Sequence, residues 1–205
     1  MITLYTSIGR YRMIGGSNDS SYPIITANGN EHRLDMKELL IWSSLMWNIL
    51  TFGELRDLYL EKEAELQLSD EQDFERYLKR LVFRGLIVSG SGYTGLDALS
   101  DLLNHLYLKP VTCGLASRVS AFFRLLKNQP LRMALSVFKK DRLSHGERNV
   151  LKASREYRLS ASELIQYLGE GSPGSSSGLN SETRITILTD IANLYLKRLI
   201  IFDCL

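Results

Sequence analysis

The clearest period in the chain lies between residues 74 and 82, where Phe74, Tyr77, Leu78, Leu81 and Val82 recur at three- and four-residue spacing. That spacing is one face of an α-helix. Gly85 follows as a natural stop, because glycine enters the left-handed region without a Cβ penalty. Leu86-Ile87-Val88 then predicts a strand, Ser89-Gly90-Ser91-Gly92 a turn, and Tyr93-Thr94-Gly95-Leu96 a return strand. Start signals place two helices before this one and mark its own beginning. Asp35 precedes Glu38, Thr51 precedes Glu54 and Ser69 precedes Gln72 by three residues each. In such capping boxes one side chain satisfies an orphan amide and the other reaches back. Upstream, residues 22–27 and 31–34 flank Asn28-Gly29, whose tolerance of positive φ suits a tight hairpin. Residues 11–14 predict a third strand.

Past residue 97, Leu99, Leu102, Leu103 and Leu106 make a helical stripe ending before Pro110. Residues 115–126 carry Val119, Phe122, Phe123 and Leu126 on one side, and a further short helix is expected after Pro130. Two more capping boxes follow, Ser144 with Glu147 and Ser160 with Glu163, each 109 residues after its counterpart at Asp35 or Thr51. The pentapeptide Tyr77-Leu78-Lys79-Arg80-Leu81 recurs as Tyr195-Leu196-Lys197-Arg198-Leu199, at an offset of 118. The Gly/Ser-rich segment at 169–178 accommodates the nine extra residues as a loop. An internal repeat is therefore expected, its second copy cut short where a second wing would begin.

Three short helices followed by a hairpin resemble the winged helix-turn-helix superfamily of bacterial regulators, with the resemblance carried by residues 74–84 running through Gly85-Leu86-Ile87. It implies a mainly α fold with small β elements. The expected layout is a strand element over 1–34, a first winged-helix-like unit over 35–97, a helical connector over 98–143 and a second, truncated unit over 144–205. The N-terminal hairpin followed by Leu39-Leu40-Ile41-Trp42 and Thr51-Phe52-Gly53-Glu54-Leu55 also resembles PqqD-like peptide-recognition domains, in which a leader peptide adds as a further strand.

Charge sharpens this picture. The net charge of +2 hides twelve acids against five Lys and Arg over residues 31–76, and eleven Lys and Arg against three acids over 118–158. Such a separation steers a polyanion toward one half of the molecule, or draws the two halves together. A hydrophobic fraction of 44% with 23% charged residues is that of a globular chain. No apolar run reaches the ~18 to 20 residues of a membrane-spanning helix. The first residues carry no basic segment followed by an apolar block, so no secretory signal is expected. Cys113 and Cys204 are far apart, as expected of two thiols in a reducing, cytoplasmic setting.

The winged-helix resemblance implies double-stranded DNA as partner, with the third helix in the major groove. The acidic start of the first third helix, Ser69-Asp70-Glu71-Gln72-Asp73, argues against that unit as the reader. The second unit offers Ser181, Thr183 and Arg184 near the start of its third helix, and Arg148, Lys152, Arg155 and Arg158 on or beside its first. These seven are the candidate DNA contacts, weighed against a merely solvated helix face. The alternative is a peptide- or protein-recognition adaptor using the strand residues Tyr22, Ile24, Ile25 and Thr26. A homodimer fits either reading. His32, His105 and His145 lack metal-ligand spacing, and no phosphate-cradling Gly-rich loop precedes a Lys-Ser or Lys-Thr pair. An enzyme, a metal and a cofactor are therefore not expected. Trp42 and Trp47, five apart, cannot share one helix face, which leaves one free for a partner or for packing against the hairpin.

Overall fold

The computed structural model describes residues 1–15, 21–67, 74–104, 106–111, 142–170 and 181–204. The chain opens with β1 (Ile2–Ser7), turns at Gly9 and runs into β2 (Arg10–Gly15), β3 (Ser21–Ala27) and β4 (Asn30–Arg33). Gly9 stands at φ +94°, and a Cβ there would lie 2.6 Å from the Thr26 carbonyl oxygen, so only glycine makes this corner. β2, β3 and β4 form an antiparallel sheet with β3 in the middle. Asn28 and Gly29 both adopt positive φ, the tight-turn geometry expected of that pair.

Helix α1 (Met36–Leu45), the short β5 (Leu50–Thr51), α2 (Phe52–Glu65), α3 (Phe74–Phe83) and β6 (Ile87–Gly92) follow. The boxes at Asp35/Glu38 and Thr51/Glu54 are both closed reciprocally. The expected box at Ser69/Gln72 lies outside the described residues. α3 buries Phe74, Tyr77, Leu78 and Leu81, while Val82, placed on the apolar face by sequence, is 37% exposed. The helix stops at Gly85, φ +67°, where the Leu86 amide donates to the Leu81 carbonyl at 3.0 Å.

No wing hairpin follows. β6 runs straight through Ser89-Gly90-Ser91-Gly92, and the segment expected to return as a strand begins α4 (Gly95–Leu103) instead. The glycines serve close approach. A Cβ on Gly90 would stand 2.1 Å from the Leu102 nitrogen, and one on Gly92 2.5 Å from that of Ala98. α4 therefore lies directly on the β6 backbone, opened by a Thr94/Asp97 capping box with Asp in place of Glu or Gln. The leucine stripe expected to continue toward Pro110 ends early, and β7 (Tyr107–Pro110) takes its place. The helices expected over 115–126 and after Pro130 lie outside the described residues.

After residue 141 come α5 (His145–Glu156), α6 (Ala161–Glu170), α7 (Ser181–Leu196) and β8 (Ile200–Asp203). Two series of elements share one order. β1, α1, β5, α2, α3 and β6 are matched by β7, α5, a single bridge at Ser160, α6, α7 and β8. β1 pairs antiparallel with β5 and β6, as β7 pairs with Ser160 and β8. The pentapeptide does not give the register. In the second series the left-handed stop is Arg198, φ +61°, and the Leu199 amide donates to Leu194 as Leu86 does to Leu81. That places Leu81 opposite Leu194, not Leu199. The buried acids at the third position of α1 and α5 agree with it: Glu38 pairs with Arg84 at 2.9 Å, and Glu147 with Lys197 at 2.6 Å.

The expectation of a mainly α chain is overturned: the fold is mixed α/β, 54% helix and 26% strand, with seven helices and three small antiparallel sheets among the described residues. One contiguous hydrophobic cluster runs from Ile8, Ile25 and Trp42 through Leu81 and Leu108 to Val150, Ile191 and Phe202. Tyr195 is the tie across it. Its ring stacks on Phe202 at 4.3 Å, its hydroxyl donates to Leu45 O at 3.1 Å, and the Trp47 amide donates to it at 3.0 Å. Trp42 is buried with its indole N–H on the Ile8 carbonyl, and Trp47, past the end of α1 at φ +60°, lies under the Arg198 guanidinium. Among the described residues no helix is long and apolar enough to cross a membrane.

Candidate nucleic-acid interface

α5 is amphipathic by spacing. Val150, Leu151, Ala153 and Ser154 are buried, while Arg148, Lys152 and Arg155, four and three residues apart, stay in solvent on one side. Of the two acids in the helix, Glu147 is buried and neutralised. Burial pushes its carboxyl up, but the Lys197 ammonium and the Ser144 amide outweigh that and hold it below the ordinary value. Glu156 remains exposed, 3.9 Å from Lys152. The helix ends at Tyr157, and Arg158 continues the exposed cations past its end. The outer surface of α5 therefore carries three cations against one acid, with Arg158 beside them.

The three candidates on α7 do not join this row. Ser181, Arg184, Ile185 and Leu188 fall at helical spacing on the side toward α4, around a cavity of about 480 Å³ shared with Asp97 and Asp101. The Arg184 guanidinium donates to the Ser100 hydroxyl at 2.9 Å. Thr183 is half-buried and lines a different cavity, about 230 Å³, with Gly146, Asn149 and Asp190. Two carboxylates beside Arg184 make the start of α7 a poor place for a phosphate.

The strand candidates fare differently again. Ile24 and Ile25 are buried, and Tyr22 is half-covered by the Arg33 guanidinium 5.1 Å above its ring. Ile25 lies opposite Tyr11 on one side and His32 on the other. Both edges of β3 are paired at Ile24, Ile25 and Thr26, which leaves a peptide strand no free edge there. Family models, curated proteins and solved structures were all searched, and none matches this chain.

Two features escape the sequence. Tyr157 and Tyr167, at the ends of α5 and α6, meet with ring centroids 5.3 Å apart and stay 46% and 48% exposed. The hint was Tyr157 between Arg155 and Arg158, but nothing in the periodicity brings Tyr167 to it. The second is an apolar groove of about 380 Å³ between α3 and the β1–β6 pair, lined by Tyr5, Phe52, Leu78, Val82 and Phe83. Phe83 there is 92% exposed. In the first series Arg80 and Arg84 are committed to Glu38, with Arg80 also on Asp35. Among the described residues no group of three His, Cys, Asp or Glu is placed to hold a metal ion. His145 faces the Asn149 amide at 3.2 Å, and burial pushes the Cys204 thiol up. Cys113 and His105 lie outside the described residues.

Proposed function

We propose that this chain is a non-enzymatic, cytoplasmic DNA-binding regulator whose phosphate contacts are made by the outer face of α5. The observation that carries the reading is the exposed row Arg148, Lys152 and Arg155, left with Glu156 as its one exposed acid because Glu147 is buried on Lys197. A row of cations on a rigid helix displaces counterions from a polyanion, so affinity falls with salt. The site differs from the one the resemblance implies, because Arg184 is held against α4.

The test is binding of random duplex DNA at two salt concentrations. Charge reversal of Arg148, Lys152 and Arg155 together lowers the slope of log affinity against log salt by about 0.9 for each phosphate no longer neutralised. Arg184→Glu leaves the slope unchanged. Absence of duplex binding by the unaltered protein at low salt, or an unchanged slope in the triple variant, rejects the reading. A protein-recognition adaptor is the second reading, favoured by Phe83 standing 92% exposed beside the α3 groove. On that reading Phe83→Ser abolishes partner capture and the α5 reversals do not matter.

A further inference from the structure

We propose that the α5 surface prefers single-stranded nucleic acid, with an unstacked base seated on the Tyr157–Tyr167 pair and the backbone tracking Arg148, Lys152, Arg155 and Arg158. This rests on the reading of α5 as a phosphate-binding face and adds what kind of strand it takes.

Exposed cations alone attract any polyanion. Aromatic rings beside them change the preference, because a base inside a duplex has both faces covered and a base in a single strand does not. The two tyrosine rings meet tilted at 55° rather than stacked, and about half of each residue remains open to solvent. The pair is continuous with the cations. Lys152 reaches Glu156, Tyr157 is the next residue, and Arg155 and Arg158 flank it in sequence. Tyr167 senses both neighbours: its phenol is pushed up first by its bond to Tyr157 and also by the Glu156 charge. Glu156 repels a phosphate at the tyrosines but accepts from the N–H groups of a base, the N3–H of thymine among them, which favours a base there and phosphates along the helix. From Arg148 to Tyr157 the surface spans about 13 Å at 1.5 Å per residue, room for a short stretch of strand.

The experiment is fluorescence anisotropy with the full chain, comparing a labelled oligothymidylate of about 20 nucleotides with a random duplex of equal length. The single strand is expected to bind about tenfold tighter. Tyr157→Ala and Tyr167→Ala lower single-strand affinity by about 5- to 150-fold, the range for one base–aromatic stack, and leave duplex affinity within about twofold. Tyr157→Phe and Tyr167→Phe retain the preference because the ring face is kept. Tyr157→Leu, which keeps apolar bulk without a π face, loses it even where alanine disturbs folding. Duplex bound as tightly as single strand, or single-strand affinity indifferent to the leucine variant, overturns this inference and leaves the phosphate-binding reading standing. Binding of neither ligand at low salt overturns both.

Discussion

Removing one oxygen from the core tests how the two halves are joined. In Tyr195→Phe the stacking on Phe202 persists and no cavity larger than a hydroxyl opens. Leu45 O, the Thr6 and Ser7 side chains and the Trp47 amide all meet the deleted oxygen, and summing four hydrogen bonds would overstate the effect. Leu45 O still accepts from the Asn48 amide at 3.0 Å. The Thr6 hydroxyl, 2.9 Å from the phenol, still donates to Asn48 O at 3.0 Å. The Trp47 amide has no such substitute, and residue 47 is held at φ +60°, where it cannot turn freely toward water. One orphaned buried amide costs about 1–3 kcal/mol. For a chain of this size each kcal/mol lowers Tm by about 2–4 °C, so a loss of roughly 4–8 °C is expected for a mid-range 2 kcal/mol. Urea melts followed by tryptophan fluorescence report the first half and far-UV CD reports both. The two curves are expected to shift together with m unchanged, since one core spans both halves. An unshifted midpoint would refute the assignment of the Trp47 amide to Tyr195. Separate transitions would refute the single core.

Gly90→Ala brings a Cβ to 2.1 Å from the Leu102 nitrogen and is expected to destabilise by at least about 3 kcal/mol, whereas Gly53→Ala in α2 meets nothing within 4 Å and stabilises by about 0.5–1 kcal/mol; thermal melts of both decide it. The Glu147–Lys197 pair is asymmetric, with side chains 3% and 33% exposed, so Lys197→Met strands a buried carboxylate at a cost of about 3–5 kcal/mol, while Glu147→Gln releases a lysine that can reach water and costs less. Denaturant midpoints in the opposite order would refute that argument. Two pH limbs follow from the shifted groups. Glu147, held below its ordinary value, contributes stability at neutral pH that is lost as pH falls below the carboxylate range, and Tyr195, pushed up by burial, contributes stability that is lost as pH rises above about 10. Midpoints against pH in Glu147→Gln and Tyr195→Phe are expected to flatten the acid and alkaline limbs respectively.

Features written within four residues of one another are legible in the amino-acid sequence alone. The boxes at Asp35, Thr51, Ser144 and Ser160 all close, because a side chain and an amide three residues on meet whatever surrounds them. The Asn28-Gly29 turn and the Gly85 stop are equally local, as is the spacing that puts Arg148, Lys152 and Arg155 on one side of α5. Expectation and fold part where the same residues serve two purposes. Ser89-Gly90-Ser91-Gly92 has the composition of a turn, yet its glycines exist to admit α4. The repeated pentapeptide is identical in letters and differs in place, lying inside α3 in one copy and across the end of α7 in the other.

What the sequence determined by itself is where four of the helices start, that one stops at Gly85, and which residues of α5 carry charge into water, because those outcomes depend on backbone hydrogen bonds and helical period over a few residues. Tertiary structure decided the rest. It closed both edges of β3, turned Arg184 toward Ser100 instead of the α5 row, and brought Tyr167 against Tyr157 from another helix. It also set a strand, β7, where the leucine stripe was expected to run on, and paired it with β8, Lys109 joining Asp203 94 residues away. Which neighbour covers a face is set by the packing of distant segments into one core, and no local period records it.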